Sequence, residues 1–203
     1  MQILNGLISA FFQVILVSII PLVWWLVTAR KEISFFSWIG LKVPVIRNKR
    51  KFAFVFVGAL ILFTVLSLFL IPLVSKSTEL ATSQFSGQGF AAIVPALIYA
   101  FLQTAFSEEI FFRGFLGKRF IRKFGFSIGN GIQATLFGLL HGAILIGSIG
   151  ITKSIIVILF TGGIGWLMGY INEKESGGSI LSSWCMHGIA NTMAAITVMF
   201  SLI

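Results

Sequence analysis

Five ionisable side chains interrupt, or stand at the edge of, long apolar runs: Glu108, Glu109, Arg113, His141 and His187. The chain has no aspartate and only six glutamates, four of which (Glu32, Glu79, Glu173 and Glu175) lie between apolar runs. Glu108 and Glu109 instead close the run 93–107 and lead straight into Ile110-Phe111-Phe112. Carboxylates there could simply cap a helix at the headgroups. The histidines argue otherwise, because both lie in apolar segments separate from the glutamates. Ionisable groups at membrane depth are costly and usually mark function. Three segments each supplying such groups imply one shared, water-accessible polar cavity.

Helical spacing divides the roles. Glu109 and Arg113 are four residues apart and can pair on one face. Glu108 points about 100° away from Glu109 and stays free of the arginine. A paired carboxylate is structural, whereas the unpaired Glu108 suits a general base or acid. His187 and Asn191 are also four apart, so imidazole and carboxamide can converge to donate hydrogen bonds to a developing oxyanion. Phe137 shares a face with His141, as a packing group or as part of the site.

If such a cavity hydrolyses peptide bonds, elimination narrows the mechanism. Two aspartates are not available, neither histidine belongs to an H-E-x-x-H motif, and no Gly-x-Ser-Gly occurs. Cys185 and His187, two apart, face nearly opposite sides of a helix. Glutamate, two histidines and an asparagine remain.

The elements that must position them are membrane helices. The 203 residues are 57% hydrophobic and 10% charged, against about a quarter charged in soluble domains. A net charge of +9 could suggest nucleic acid, but that needs a basic face on a soluble fold, and no nucleic-acid partner is expected. Uncharged stretches cover 1–29, 52–75, 80–107, 124–152, 154–172 and 176–203, each about long enough to span a bilayer. The expectation is an all-α, polytopic bundle of about six transmembrane helices in one membrane domain, 1–203. Two N-terminal helices (1–75) would precede a catalytic helical core (89–203). The first stretch has no basic n-region, and Trp24-Trp25 before Arg30-Lys31 looks like an interfacial anchor, so it is not expected to be a cleaved signal.

Basic residues concentrate in the first connector (Arg30, Lys31, Lys42, Arg47, Lys49, Arg50, Lys51) and the third (Lys118, Arg119, Arg122, Lys123). The second and fourth hold only Lys76 and Lys153. Positive residues favour the cytoplasm, so both termini should face outward, while the fifth connector (172–178) decides nothing. The first connector reads as an interfacial loop. With one cysteine, no internal disulfide can form. Depth poses a problem: if the third helix starts near Gly89 and ends at Glu108, that glutamate and His141 lie at opposite ends of the bundle. A helix that starts near Ala92 and continues past Phe115, or one kinked at Pro95, brings them level.

Three motifs resemble those of the CAAX protease and bacteriocin-processing (Abi) family of intramembrane proteases, which includes the type II CAAX prenyl endopeptidase. They are E-E-x-x-x-R at Glu108 to Arg113, F-x-x-x-H at Phe137 to His141, and H-x-x-x-N at His187 to Asn191. Together they use both histidines of the chain. The resemblance implies a glutamate-dependent endopeptidase acting on a peptide or membrane-protein substrate among membrane lipids. Glu108 and His141 would activate water, His187 and Asn191 would hold the oxyanion, and Glu109 and Arg113 would order the site. Glu108, His141 and His187 could alternatively supply a two-His-one-carboxylate zinc site with one open position. The expectation is metal-free, since Asn191 suits an oxyanion hole better than a metal shell. The short chain, rich in Ile, Phe and Lys, has a bacterial character. That favours a multi-pass cell-membrane protein of peptide processing or self-immunity over one with a prenylated substrate. The competing expectations are a non-catalytic membrane protein binding a peptide or sensor helix, and a small transporter or proton relay.

Overall fold

The computed structural model describes residues 1–74 and 81–202, without side-chain detail for 71–74 and 81; Lys76 and Glu79 lie outside this set. The described residues are helical with no strand, as the apolar runs require when backbone polar groups must be satisfied without water. α1 spans Gln2–Thr28, α2 Phe35–Ile39 and α3 Lys49–Val74. α4 is one long helical run, Gly89–Phe124, and α7 spans Leu181–Met199. Between them lies the run Phe126–Tyr170, broken at Gly150 into α5 (126–149) and α6 (from 151), which continues in wide turns through Ile171–Glu175. Among the described residues, four stretches are long and apolar enough to cross a membrane: Gln2–Thr28, Lys49–Leu70, Gly89–Phe124 and Phe126–Glu175.

Gly150 explains why the fourth stretch is a hairpin. Its φ of 77° and ψ of 168° belong to a region open essentially to glycine alone, and Gly125 repeats the conformation between α4 and α5. α5 and α6 then run back along each other. Asn130 donates to the Trp166 carbonyl and Gln133 to that of Gly165, each at 2.9 Å. Farther along, the helices approach so closely that a methyl group at Gly138 would collide with the Ile158 carbonyl. Small residues at such crossings let backbones meet where lipid supplies no hydrophobic drive.

Two connectors differ from the sequence expectation. Lys118, Arg119, Arg122 and Lys123 lie on the last turns of α4 rather than in a loop. The helix can carry them because Lys118 pairs with Glu173 and with the Gly178 carbonyl, both at 2.7 Å. Arg119 stacks on the Trp38 indole at 3.6 Å. The first connector is not a plain interfacial loop either: α2 buries Trp38 and Ile39 against Ile110 and Phe115 of α4. Beyond α2, the connector reaches the 176–180 turn through Ile180 N–H to the Gly40 carbonyl (2.9 Å) and Val45 N–H to the Ser176 carbonyl (3.2 Å). Lys51 bonds Glu175 at 2.5 Å, so the fifth connector joins the basic end of the bundle. The other end gathers Gln2 with Gln88 and Phe90 with Phe200.

The length of α4 also resolves the depth problem. Its α-helical part begins at Ile93, after a tight turn at Gly89–Ala92, and the run ends only at Phe124. Glu108 therefore sits mid-helix, level with His141 in the middle of α5. Pro95 lies in the opening turns, where its missing N–H costs nothing.

Candidate active site

α4, α5 and α7 bring Glu108, Glu109, Arg113, Phe137, His141 and His187 together, while Asn191 bonds Thr104 rather than a member of this group. Glu108 Oε2 lies 3.7 Å from His187 Nε2 and 3.9 Å from His141 Nε2. These separations exceed a hydrogen bond, and Glu108 Oε2 is buried without a hydrogen-bond partner among the described residues. The Glu108 and His141 side chains keep 25% and 29% of their surface exposed, against 5% for His187. The glutamate and one imidazole thus line an accessible wall, with the second imidazole recessed behind.

The far nitrogens fix the rings. His141 Nδ1 is 2.9 Å from the Phe137 carbonyl, which can only accept, so Nδ1 carries a hydrogen and Nε2 faces Glu108. His187 Nδ1 is 3.1 Å from Glu109 Oε1 and by the same reasoning donates to it. Both imidazoles therefore turn Nε2 toward the same carboxylate.

Glu109, wholly buried, takes a different environment from its neighbour. Arg113 Nη1 lies 3.0 Å from Oε1, with the guanidinium side chain 2% exposed. Ser183 Oγ donates to Oε2. The arginine also rests 4.0 Å over the Phe137 ring and contacts Met168 Sδ at 3.1 Å. Phe137 thus supports the guanidinium through its ring and His141 through its carbonyl, which makes it more than filler. Asn191 is placed by α4: its Nδ2 donates to Thr104 Oγ1 at 2.9 Å, leaving a second amide hydrogen uncommitted. α7 can come this close because Gly188 lies against the Phe101 ring, where a methyl group would not fit.

Sequence reasoning missed two members of the network. Ser183 holds Glu109, and Asn172, from the end of α6, donates to Ser183 Oγ at 2.7 Å. Ser183 stands four residues before His187, so its spacing offered a signal; Asn172 offered none. Among the described residues, no group of three or more His, Cys, Asp or Glu side chains has the geometry to hold a metal ion.

The family profile described as type II CAAX prenyl endopeptidase Rce1-like matches residues 90–193, a little over half of the chain. That segment contains every residue of the cluster. No curated protein and no solved structure matches the chain.

Proposed function

We propose that this chain, which belongs to the type II CAAX prenyl endopeptidase Rce1-like family, is an intramembrane endopeptidase in which Glu108 is the general base. The observation that carries the reading is the convergence of Glu108 Oε2 with both Nε2 atoms at 3.7 and 3.9 Å. Water hydrogen-bonded at about 2.8 Å fits between groups at such separations. A carboxamide such as Asn191 suits an oxyanion hole better than a metal shell, which supports a metal-free water held between carboxylate and imidazole.

In this mechanism, His141 Nε2 accepts one hydrogen bond from the water and orients it. Glu108 removes its proton as the oxygen adds to the peptide carbonyl, then returns that proton to the leaving amine. The negative oxygen of the tetrahedral intermediate is met by the second Asn191 amide hydrogen and by His187 Nε2–H. The latter requires a hydrogen on each ring nitrogen of His187, with Nδ1–H held by Glu109 at 3.1 Å. Two carboxylates, one guanidinium and one imidazolium then leave the cluster without net charge, which limits its desolvation cost. The substrate we propose is a peptide or a membrane-anchored protein, in a peptide-processing or self-immunity role.

The test uses the full chain in lipid nanodiscs with a panel of peptides: a farnesylated CAAX peptide and unmodified membrane-inserted helical peptides, with products read by mass spectrometry. At least one peptide should be cleaved, and Glu108→Gln should lower turnover by roughly 10²–10⁴-fold while the protein stays folded. Full turnover by Glu108→Gln would refute the assignment.

A further inference from the structure

Hydroxyl groups in the apolar helices mostly satisfy themselves locally. Thr28, Thr64, Ser67, Ser154, Thr161 and Thr192 each donate to the carbonyl four residues back. Ser183 does not. Its Oγ turns toward Glu109 Oε2 although the Ile180 carbonyl is within reach at 3.1 Å. A hydroxyl has one hydrogen to give, and a carboxylate is the stronger acceptor.

Asn172 reinforces that choice. Its Nδ2 donates to Ser183 Oγ at 2.7 Å, while its Oδ1 accepts the Ser183 backbone N–H at 3.1 Å. That N–H lies in the first turn of α7, where donors have no partner within the helix. One carboxamide thus caps α7 and occupies a lone pair of the serine. The donors then run in one direction, from Asn172 through Ser183 to Glu109, and each bond polarises the next. Asn172, Ser183 and Glu109 are at most 1% exposed. The two oxygens of Glu109 are divided accordingly, Oε2 to Ser183 and Oε1 to Arg113 and His187.

We infer that Ser183, oriented by Asn172, is a positioning residue that fixes the Glu109 carboxylate and through it the His187 ring, with Nδ1–H on Glu109 and Nε2 turned to the site. Without the hydroxyl, Oε2 becomes a buried acceptor with no partner, and the carboxylate turns about its last torsion to find one. Oε1 then no longer holds Nδ1–H, so the ring of His187 loses its fixed orientation toward the site, and its neutral form distributes its hydrogen over both nitrogens. The catalytic consequence rests on the role proposed for His187 above; the tautomer itself does not.

The chain's two histidines make the experiment direct. Full-length protein labelled with ¹⁵N-histidine, in nanodiscs, presents four ring nitrogens, and His141→Gln assigns them. Across a pH titration, neutral His187 of the wild type should carry its hydrogen on Nδ1. Ser183→Ala should show exchange between both forms and about a tenfold lower kcat at unchanged KM on the peptide cleaved in the panel. Ser183→Thr should restore both properties. Ser183→Cys, which keeps the volume and weakens the donor, should fall between and serves if Ser183→Ala fails to fold. A folded Ser183→Ala or Ser183→Cys protein with the wild-type tautomer would overturn the inference. A wild-type protein that cleaves nothing would instead count against the protease reading and leave the spectrum to decide the role of Ser183.

Discussion

Replacing Arg113 by methionine should be among the most damaging single changes in this protein. The guanidinium is the principal fixed positive charge facing Glu109, at 3.0 Å, with the two side chains 2% and 0% exposed. Removing it leaves Glu109 in the interior with Ser183 and His187 as its remaining polar contacts. Breaking a buried pair in this way costs about 3–5 kcal/mol, because the remaining charge is uncompensated. Loss of the cation from the Phe137 face, 4.0 Å away, removes up to about 2 kcal/mol within the same total. Against a typical stability of about 5–15 kcal/mol, much of the folded population should be lost on heating. The assay is reversible unfolding in mixed micelles followed by circular dichroism, on Arg113→Met, Glu109→Gln and the double variant. The double variant should be less destabilised than the sum of the singles by a few kcal/mol, since it leaves no lone charge. Arg113→Met within about 1 kcal/mol of wild type, or an additive cycle, would refute the view of the pair as a buried, mutually dependent unit.

Further outcomes follow from the same geometry. Gly150→Ala should destabilise the α5–α6 hairpin by about 1–3 kcal/mol, because its φ of 77° and ψ of 168° exclude a side chain. Gly147→Ala, with open space around the added methyl, should not destabilise, and thermal melts of the two variants check the difference. Peptide cleavage should survive dialysis against a strong chelator, and loss of activity restored by zinc would overturn the metal-free mechanism. Asn191→Leu should lower kcat by roughly 10²–10³-fold with little change in KM, the pattern of a group that acts on the transition state; an effect confined to KM would argue against an oxyanion donor.

Most of the clustered side chains were legible because membrane helices make ionisable groups conspicuous, and the four-residue spacing of Glu109 and Arg113 matches their 3.0 Å pair. The course of α4 was not. Hydropathy runs stop at the first charges, so Lys118 to Lys123 read as a loop; the partner that holds Lys118 on the helix is Glu173, 55 residues away in sequence. Nor does residue type mark Ser183, since most hydroxyls in these helices bond their own backbone. Its role depends on Asn172, placed by the end of a different helix. Fold class and site roster are local properties of the sequence, whereas the partners that orient the site are set by tertiary contacts with no sequence signature.

The adjacency of Glu108 and Glu109 now has a geometric meaning. Both carboxylates address His187 from opposite nitrogens, Glu109 at Nδ1 (3.1 Å) and Glu108 at Nε2 (3.7 Å). In a regular helix successive side chains diverge by about 100°, which alone would turn one of them from the ring. α4 is not regular here. It runs in wide π-helical turns over Ile98–Phe106 and again over Glu109–Gly117, with Ser107 and Glu108 between. Wider turns reduce the angle between neighbours, and such departures from the α-helix recur at functional sites. One helix thus offers two carboxylates to one imidazole, while Arg113, four residues beyond Glu109, pairs with the inner one. The outer carboxylate has one oxygen without a hydrogen-bond partner among the described residues, as the proposed general base requires. The two neighbouring carboxylates thus end in different surroundings, the inner one wholly buried against Arg113 and the outer one 25% exposed.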